Sequence, residues 1–263
     1  MYKDPVPVSK EHHAAKRIIR HTSYAFAASS AAAPIFAAEL SHIAGEYPIA
    51  FIKDGDIYSP VALLSLEPQR NLFVAPDGRW LGEYIPASLR RYPFVLGRST
   101  ESDDLVLCVD EASGLLSDTA GEPLYGTDGQ PSPLVNEIMT FLGRLEQSRK
   151  ATHVACATLA KHQLFVPWEL KVQMESGFKN VAGLFKINEI ALDQLSDEDF
   201  LDLRRVGALS LSYAHMISTP RLKSLENRAA LQRSLNAQPT TPSLDLNEMF
   251  ESAEHGGDFV FKF

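Results

Sequence analysis

Two adjacent arginines, Arg90 and Arg91, close a run that also carries Trp80, Tyr84, Tyr92 and Phe94, "NLFVAPDGRWLGEYIPASLRRYPF". Guanidinium forks hold carboxylates or phosphates through paired hydrogen bonds and lie flat on aromatic planes, so these residue types suit an anion or peptide-carboxylate site. The same residues also suit packing. Rings on a hairpin and on the turn after it cover one face of a sheet, each contributing about 1.5–3 kcal/mol when buried. Packing is the preferred reading for the rings, and a structural ion pair or ring stack for the arginines. Trp80, Tyr84, Arg90, Arg91 and Tyr92 nevertheless form, with His215, the candidate ligand-binding set.

The histidines offer little to a metal. His12 and His13 are adjacent and cannot share a helix face, His153 and His162 are nine apart, and His42 and His215 stand alone. His215, in "SYAHMIS" beside Tyr213 and Ser218, is the best single residue for a polar role inside a core. The chain has no GxSxG elbow, no P-loop and no GxGxxG after a strand, so no catalytic residue, cofactor or metal is expected. The acids of "SDEDFLD" are those that complement the first turn of a helix. Asp118, Glu122 and Asp128 sit among glycines but lack the alternating oxygen spacing of a calcium loop.

Bulk properties narrow the partners. A formal charge of −8 opposes long-range attraction to phosphate backbones and anionic lipid, which argues against nucleic acid. Half of that imbalance lies in residues 237 to 263, where Asp245, Glu248, Glu251, Glu254 and Asp258 face only Lys262. Cys108 lies in the strand-like "DDLVLCVD" and is expected to be a buried, inert thiol; neither it nor Cys156 has a zinc spacing. "KRIIRHTSYAFAASSAAAPIFAAEL" imitates a secretory signal poorly, since a long leader containing acids precedes it and Ser29, Ser30 and Pro34 interrupt its apolar part. No segment has the roughly twenty strongly apolar residues of a membrane helix, and the expected location is cytoplasmic.

The elements that would position these residues are readable from punctuation and period. Residues 34 to 46 read as a helix with Pro34 at its start, followed by a hairpin of "YPIAFI" and "IYSPVALLSL" about an Asp-Gly turn, Pro60 pushing the second strand toward an edge or a bulge. A second hairpin is predicted across Asp77-Gly78, making a meander. "PASLRRY" makes a short helical turn, "PFVLGRS" and "DDLVLCVD" add strands, and residues 111 to 133 form an irregular loop across the sheet or a lid. Apolar spacing from Leu134 to Leu159 gives one long helix or two stacked ones. Another strand pair follows about an "ESGFKN" turn, then helices over "LSDEDFLDLRRVG", capped by Ser196 and stopped at Gly207, "ALSLSYAHMIST" and "PRLKSLENRAALQRSL". Beyond Leu235 a polar linker leads to a tail whose Leu246, Met249 and Phe250 share one face at helical spacing and whose "DFVFKF" alternates like a strand. The expectation is thus an α+β domain over residues 1 to 235, an antiparallel multi-stranded sheet covered by helices from residues 34 to 46 and 134 to 235. An acidic linker and docking tail occupy 236 to 263.

"YPIAFIKD", "PVALLSL", "NLFVAPDGRWLGEYIPASLRRYPF", "VAGLFKINEIALDQLSD" and "LRRVGALSLSYAHMIS" fall in order and resemble the bacterial SapC-like family from about residue 24 to about 225. The resemblance implies an accessory role in surface-layer or nutrient and peptide handling, and supplies no catalytic residues. The preferred function is accordingly a non-catalytic accessory or binding protein that presents a sheet face or groove near Trp80, Tyr84, Arg90 and Arg91 to a peptide or protein. The competing reading is an enzyme whose site is assembled from distant residues near His215 and the 111–133 loop. A third is self-association, the tail adding "DFVFKF" to an exposed sheet edge of a second copy.

Overall fold

Gly55 takes φ +56, a value cheap only for glycine, and turns Ile49–Asp54 back on Ile57–Leu63 with Asp54 opposite Ile57. Around this hairpin the rest of the chain is laid. The computed structural model describes residues 2–98, 104–174 and 177–237. In chain order the elements are β1 (Pro5–Pro7), α1 (Lys10–His13), β2 (Arg17–Ile18), β3 (Ala32–Pro34), α2 (Leu40–Glu46), β4 (Ile49–Asp54), β5 (Ile57–Leu63), α3 (Ala87–Arg90), β6 (Phe94–Arg98) and β7 (Leu105–Asp110). There follow β8 (Leu116–Ser117), β9 (Glu122–Pro123), α4 (Pro133–Lys161), β10 (Phe165–Pro167), β11 (Leu170–Met174), β12 (Gly177–Val181), β13 (Leu184–Ile187), α5 (Glu189–Asp193), α6 (Asp197–Arg205), α7 (Ala208–Ser218) and α8 (Arg221–Ala237).

The fold is α+β, with every strand pairing antiparallel. Its main sheet has the order β10-β13-β4-β5-β3; smaller sheets are β1-β7-β6, β8-β2-β9 and the β11-β12 ribbon. α4 and α7 pack on the main sheet and α2 on α7. α4 is one continuous 29-residue helix, started by Ser132, whose side chain accepts from Val135 N–H, and by Pro133. At 1.5 Å per residue it is about 43 Å long, enough to cross two cores. Leu134, Val135 and Leu142 join Ile18, Phe94, Val109 and Leu124 at one end. Ala155, Cys156 and Leu159 join the core of the main sheet at the other.

Several expectations change. Pro34 ends a strand; the helix begins only at Leu40, after a single 3-10 turn over Ala37–Glu39. β5 is not an edge strand, because β3 covers it; Pro60 is tolerated because β3 stops opposite Val61, so its missing N–H leaves no ladder partner. The second hairpin keeps its turn but has only one bridge, Val74 to Trp80. The N–H groups of Glu83 and Tyr84, which a ladder would use, go instead to the Glu46 carboxylate at 2.8 and 2.9 Å. Residues 111 to 133 are fastened down: β8 and β9 pair on either side of β2 and Leu124 is fully buried. Phe178 to Asn180, assigned to a turn, lie in β12. α8 runs to Ala237, and the tail beyond it lies outside the described residues.

Candidate functional site

α8 carries Arg221, Ser224, Leu225 and Arg228 at i, i+3, i+4 and i+7, which places them on one face. Leu225, only 2% exposed, anchors that face in the core. Opposite it stands the end of α2, with His42 and Glu46, and the 81–84 loop; Phe73 and Pro48 complete a cleft of about 770 Å³. A second, more apolar cavity of about 520 Å³, walled by Leu72, Val74, Ala75 and Leu231, shares Leu81 and Arg228 with the first. The two form one groove along α8, with Arg228 at the junction.

The walls are held by specific contacts. The Arg228 guanidinium lies 4.5 Å from the centre of the Phe73 ring, and no carboxylate of the described residues is within ion-pair distance of it. His42 stacks on Tyr84 at 4.8 Å with planes 6° apart. Glu46 is occupied by the backbone of the 81–84 loop, which leaves Glu83 as the exposed acid of that wall. Behind the loop, Trp80 Nε1 donates to Tyr47 Oη and to the Tyr84 carbonyl, both at 3.2 Å, and Tyr47 Oη donates to the same carbonyl. Burial holds the Tyr47 hydroxyl far above the ordinary tyrosine range. Arg70 ties α8 to the 64–72 segment, donating to Gln232 at 3.0 Å and to Glu67 at 2.5 Å.

The sequence-derived candidates divide among separate places. Tyr84 is on the cleft and Trp80 supports it. Arg90 lies over the rings of Tyr84 and Phe141, 5.2 and 5.6 Å from their centres, and donates to Tyr84 Oη at 2.9 Å and to the Ile85 carbonyl at 3.0 Å. Tyr84 Oη in turn donates to buried Glu39 at 3.0 Å; Glu39 also accepts from Phe36 N–H and Ala87 N–H, so it fastens α3 to the turn before α2. Burial raises the Glu39 carboxyl, and its hydrogen bonds oppose that shift.

Arg91 points elsewhere, over Tyr2 at 5.7 Å, beside a smaller cavity of about 290 Å³ that it shares with Arg149 and Glu146, a pair joined by two hydrogen bonds of 2.6 Å. Tyr92 is buried, stacks on Phe26 at 4.1 Å and donates to Asp110 at 3.3 Å; burial pushes its hydroxyl to about 12. Phe94 belongs to the smaller core.

His215 is apart from all of these. It is 1% exposed, against Phe51 and Trp168, and its Nδ1 is 2.8 Å from the Ile49 carbonyl. The 111–133 loop packs in the other core, so the two parts of the supposed cryptic site do not meet. In that loop Asp118 pairs with Lys16, Glu122 with Arg20, and Asp128 accepts from Gln130 N–H, three acids with three separate partners. Among the described residues no group of three His, Cys, Asp or Glu side chains could hold a metal ion. His162 lies 3.5 Å from Asp199 and 3.2 Å from Asp202, a clamp between α4 and α6.

The cleft residues missed by sequence reading are His42, Glu46, Arg221 and Arg228. Only the seven-residue spacing of the two arginines was a visible signal; what faces them is set by the packing of α2 and α8.

No curated protein and no solved structure matches the chain. A family model does match, over residues 8–225, beginning early enough to take in α1 and β2, the latter paired with β8 and β9 of the 111–133 stretch. That span holds the main sheet, both cores and most of the cleft wall, and the chain belongs to the SapC family.

Proposed function

We propose that this protein is a non-catalytic accessory protein that binds a peptide-like partner, and that the groove between α2, the 81–84 loop and α8 is where it does so. One observation carries the reading: the Arg228 guanidinium lies over Phe73, 4.5 Å from the ring centre, at the junction of a polar and an apolar cavity, with no carboxylate of the described residues beside it. A guanidinium already placed against a ring loses less freedom when it takes up a carboxylate. Arg221, two helical turns away, offers a second cation, and the exposed ring of His42, stacked on Tyr84, offers a flat face to another ring. This chemistry suits a short peptide that carries acidic and aromatic side chains.

The same proposal places the protein in the cytoplasm, on the sequence alone, and gives it a surface-layer or nutrient-handling task, on family resemblance alone. The test is native mass spectrometry of the full chain with a library of hexapeptides containing Asp or Glu beside Phe. Retention of such peptides by the wild type, with at least a tenfold weaker dissociation constant in Arg228→Ala, is expected. Retention of none, or equal affinity in the variant, overturns the reading.

A further inference from the structure

We infer that the groove along α8 is covered in the resting protein by the chain's own C-terminal segment, residues 244 to 254. This rests on the reading of the groove as a peptide site and adds its regulation: an outside peptide must displace an internal one.

Three observations point to this occupant. The first is reach. The chain leaves α8 at Ala237, nine residues beyond Arg228 and sixteen beyond Arg221, or about 14 and 24 Å back along the helix at 1.5 Å per residue. The six residues "QPTTPS" from 238 to 243 span about 20 Å when extended, so the segment after them returns to Arg228 without strain.

The second is charge. The segment brings Asp245, Glu248, Glu251 and Glu254 and no base, and the groove presents Arg221 and Arg228. Of the acids already there, Glu46 is bonded to the backbone of Glu83 and Tyr84, and Glu83 lies on the opposite wall from α8. The third is the apolar match. Leu246, Met249 and Phe250 recur at one helical face, and the cavity beside Arg228 is walled by Leu72, Val74, Leu81 and Leu231, of which Leu81 and Leu231 are 41% and 60% exposed.

The experiment places benzoylphenylalanine at position 250 of the full chain, irradiates a dilute sample and maps the crosslinked peptides by mass spectrometry. Crosslinks within one molecule, to residues 71–81 or 221–232, are the expected result. Their yield should fall at least fivefold in the Arg221→Glu, Arg228→Glu double variant and be unchanged in Lys223→Glu, a substitution of equal sign on an exposed α8 residue paired with Glu226. A thermal melt of each variant accompanies the measurement; should the double variant not fold, Arg228→Gln takes its place, with a twofold or larger fall expected.

Crosslinks elsewhere on the molecule, crosslinks only between two copies, no crosslink, or an equal fall in Lys223→Glu each overturn the proposal. No peptide is added, so this outcome is separate from that of the binding reading. A chain that retains library peptides but shows no groove crosslink loses the internal occupant and keeps the binding site. A chain that shows the crosslink, yet retains no peptide even when Met249→Asp and Phe250→Asp weaken the tail, keeps the occupant and loses the outside ligand.

Discussion

His215 and Ile49 complete each other across the main sheet: the ring Nδ1 lies 2.8 Å from the Ile49 carbonyl, and Ile49 N–H donates at 2.8 Å to Ser218, one turn further along α7. The register explains the need. β13 pairs with β4 only at Phe51 and Ile52, so at Ile49 the ladder has run out on that side. A buried N–H and C=O left there would each cost about 1–3 kcal/mol. α7 supplies both partners, with Nδ1–H as the donor, and the Ser218 hydroxyl in turn donates a hydrogen bond to the His215 carbonyl at 2.7 Å.

The first prediction is a pH dependence. Burial lowers the His215 pKa to about 4 from 6.5, so the unfolded chain binds the proton more tightly than the native one. The stability this group contributes is present above pH 6.5 and is lost as pH falls from about 6.5 to about 4, a change on the order of 3 kcal/mol. Urea unfolding at stepped pH should show that slope in the wild type, and His215→Gln should flatten it. A variant with the wild-type slope excludes His215 as the source.

Glu39 titrates with the opposite sign. Its raised carboxyl pKa means that its contribution is present below the ordinary value of 4.5 and is lost as pH rises through the higher native value. Glu39→Gln replaces one accepting oxygen by a donor and leaves a buried partner, Phe36 N–H or the pair on the other oxygen, without an acceptor. A loss of about 1–3 kcal/mol is expected, larger at pH 5 than at pH 8, measured by chemical denaturation at both.

Tyr47→Phe tests the support behind the cleft. The Tyr84 carbonyl would keep only the longer bond from Trp80, and a destabilisation of about 1–2 kcal/mol is expected. Peptide affinity should weaken in parallel, because the loop that carries Tyr84 loses its fixed position. An unchanged affinity separates the support from the site.

The two cysteines should be silent in the native state. Both are free and buried, Cys156 at 1% exposure with its thiol pushed up to about 12 by burial, and Cys108 raised for the same reason. Since the thiolate is the reactive form, a thiol reagent at pH 7.5 should label neither within minutes and both in denaturant. Labelling of folded protein at the free-thiol rate would show that α4 or β7 opens locally.

Legibility followed the range of the interaction. Ser196 and Gly207 announce α6, because caps and stops act within a few residues, and apolar spacing from Leu134 announces α4 without saying whether it is one helix or two. The Asp77-Gly78 turn was equally visible, and Gly78 does take φ +85, with Ser23 so close that a Cβ has no room. Its hairpin was not, because the Glu46 carboxylate, 37 residues away from Glu83, takes the hydrogen bonds that the second strand would have made. The rings near Trp80 were recognisable as packing residues, yet nothing local tells that Arg90 stays with Tyr84 while Arg91 turns to Tyr2.

From its own residues the chain determined an α+β class, the family, most of the longer helices, and the buried setting of Cys108, since period, capping and burial preference are properties of short stretches. Tertiary packing alone decided the strand order, the place of residues 5 to 18 inside two of the sheets, the bond from His215 to Ile49 and the meeting of α2 with α8. Each of these joins groups far apart along the chain, and their pairing is chosen by which arrangement buries the apolar faces while leaving no backbone group unbonded.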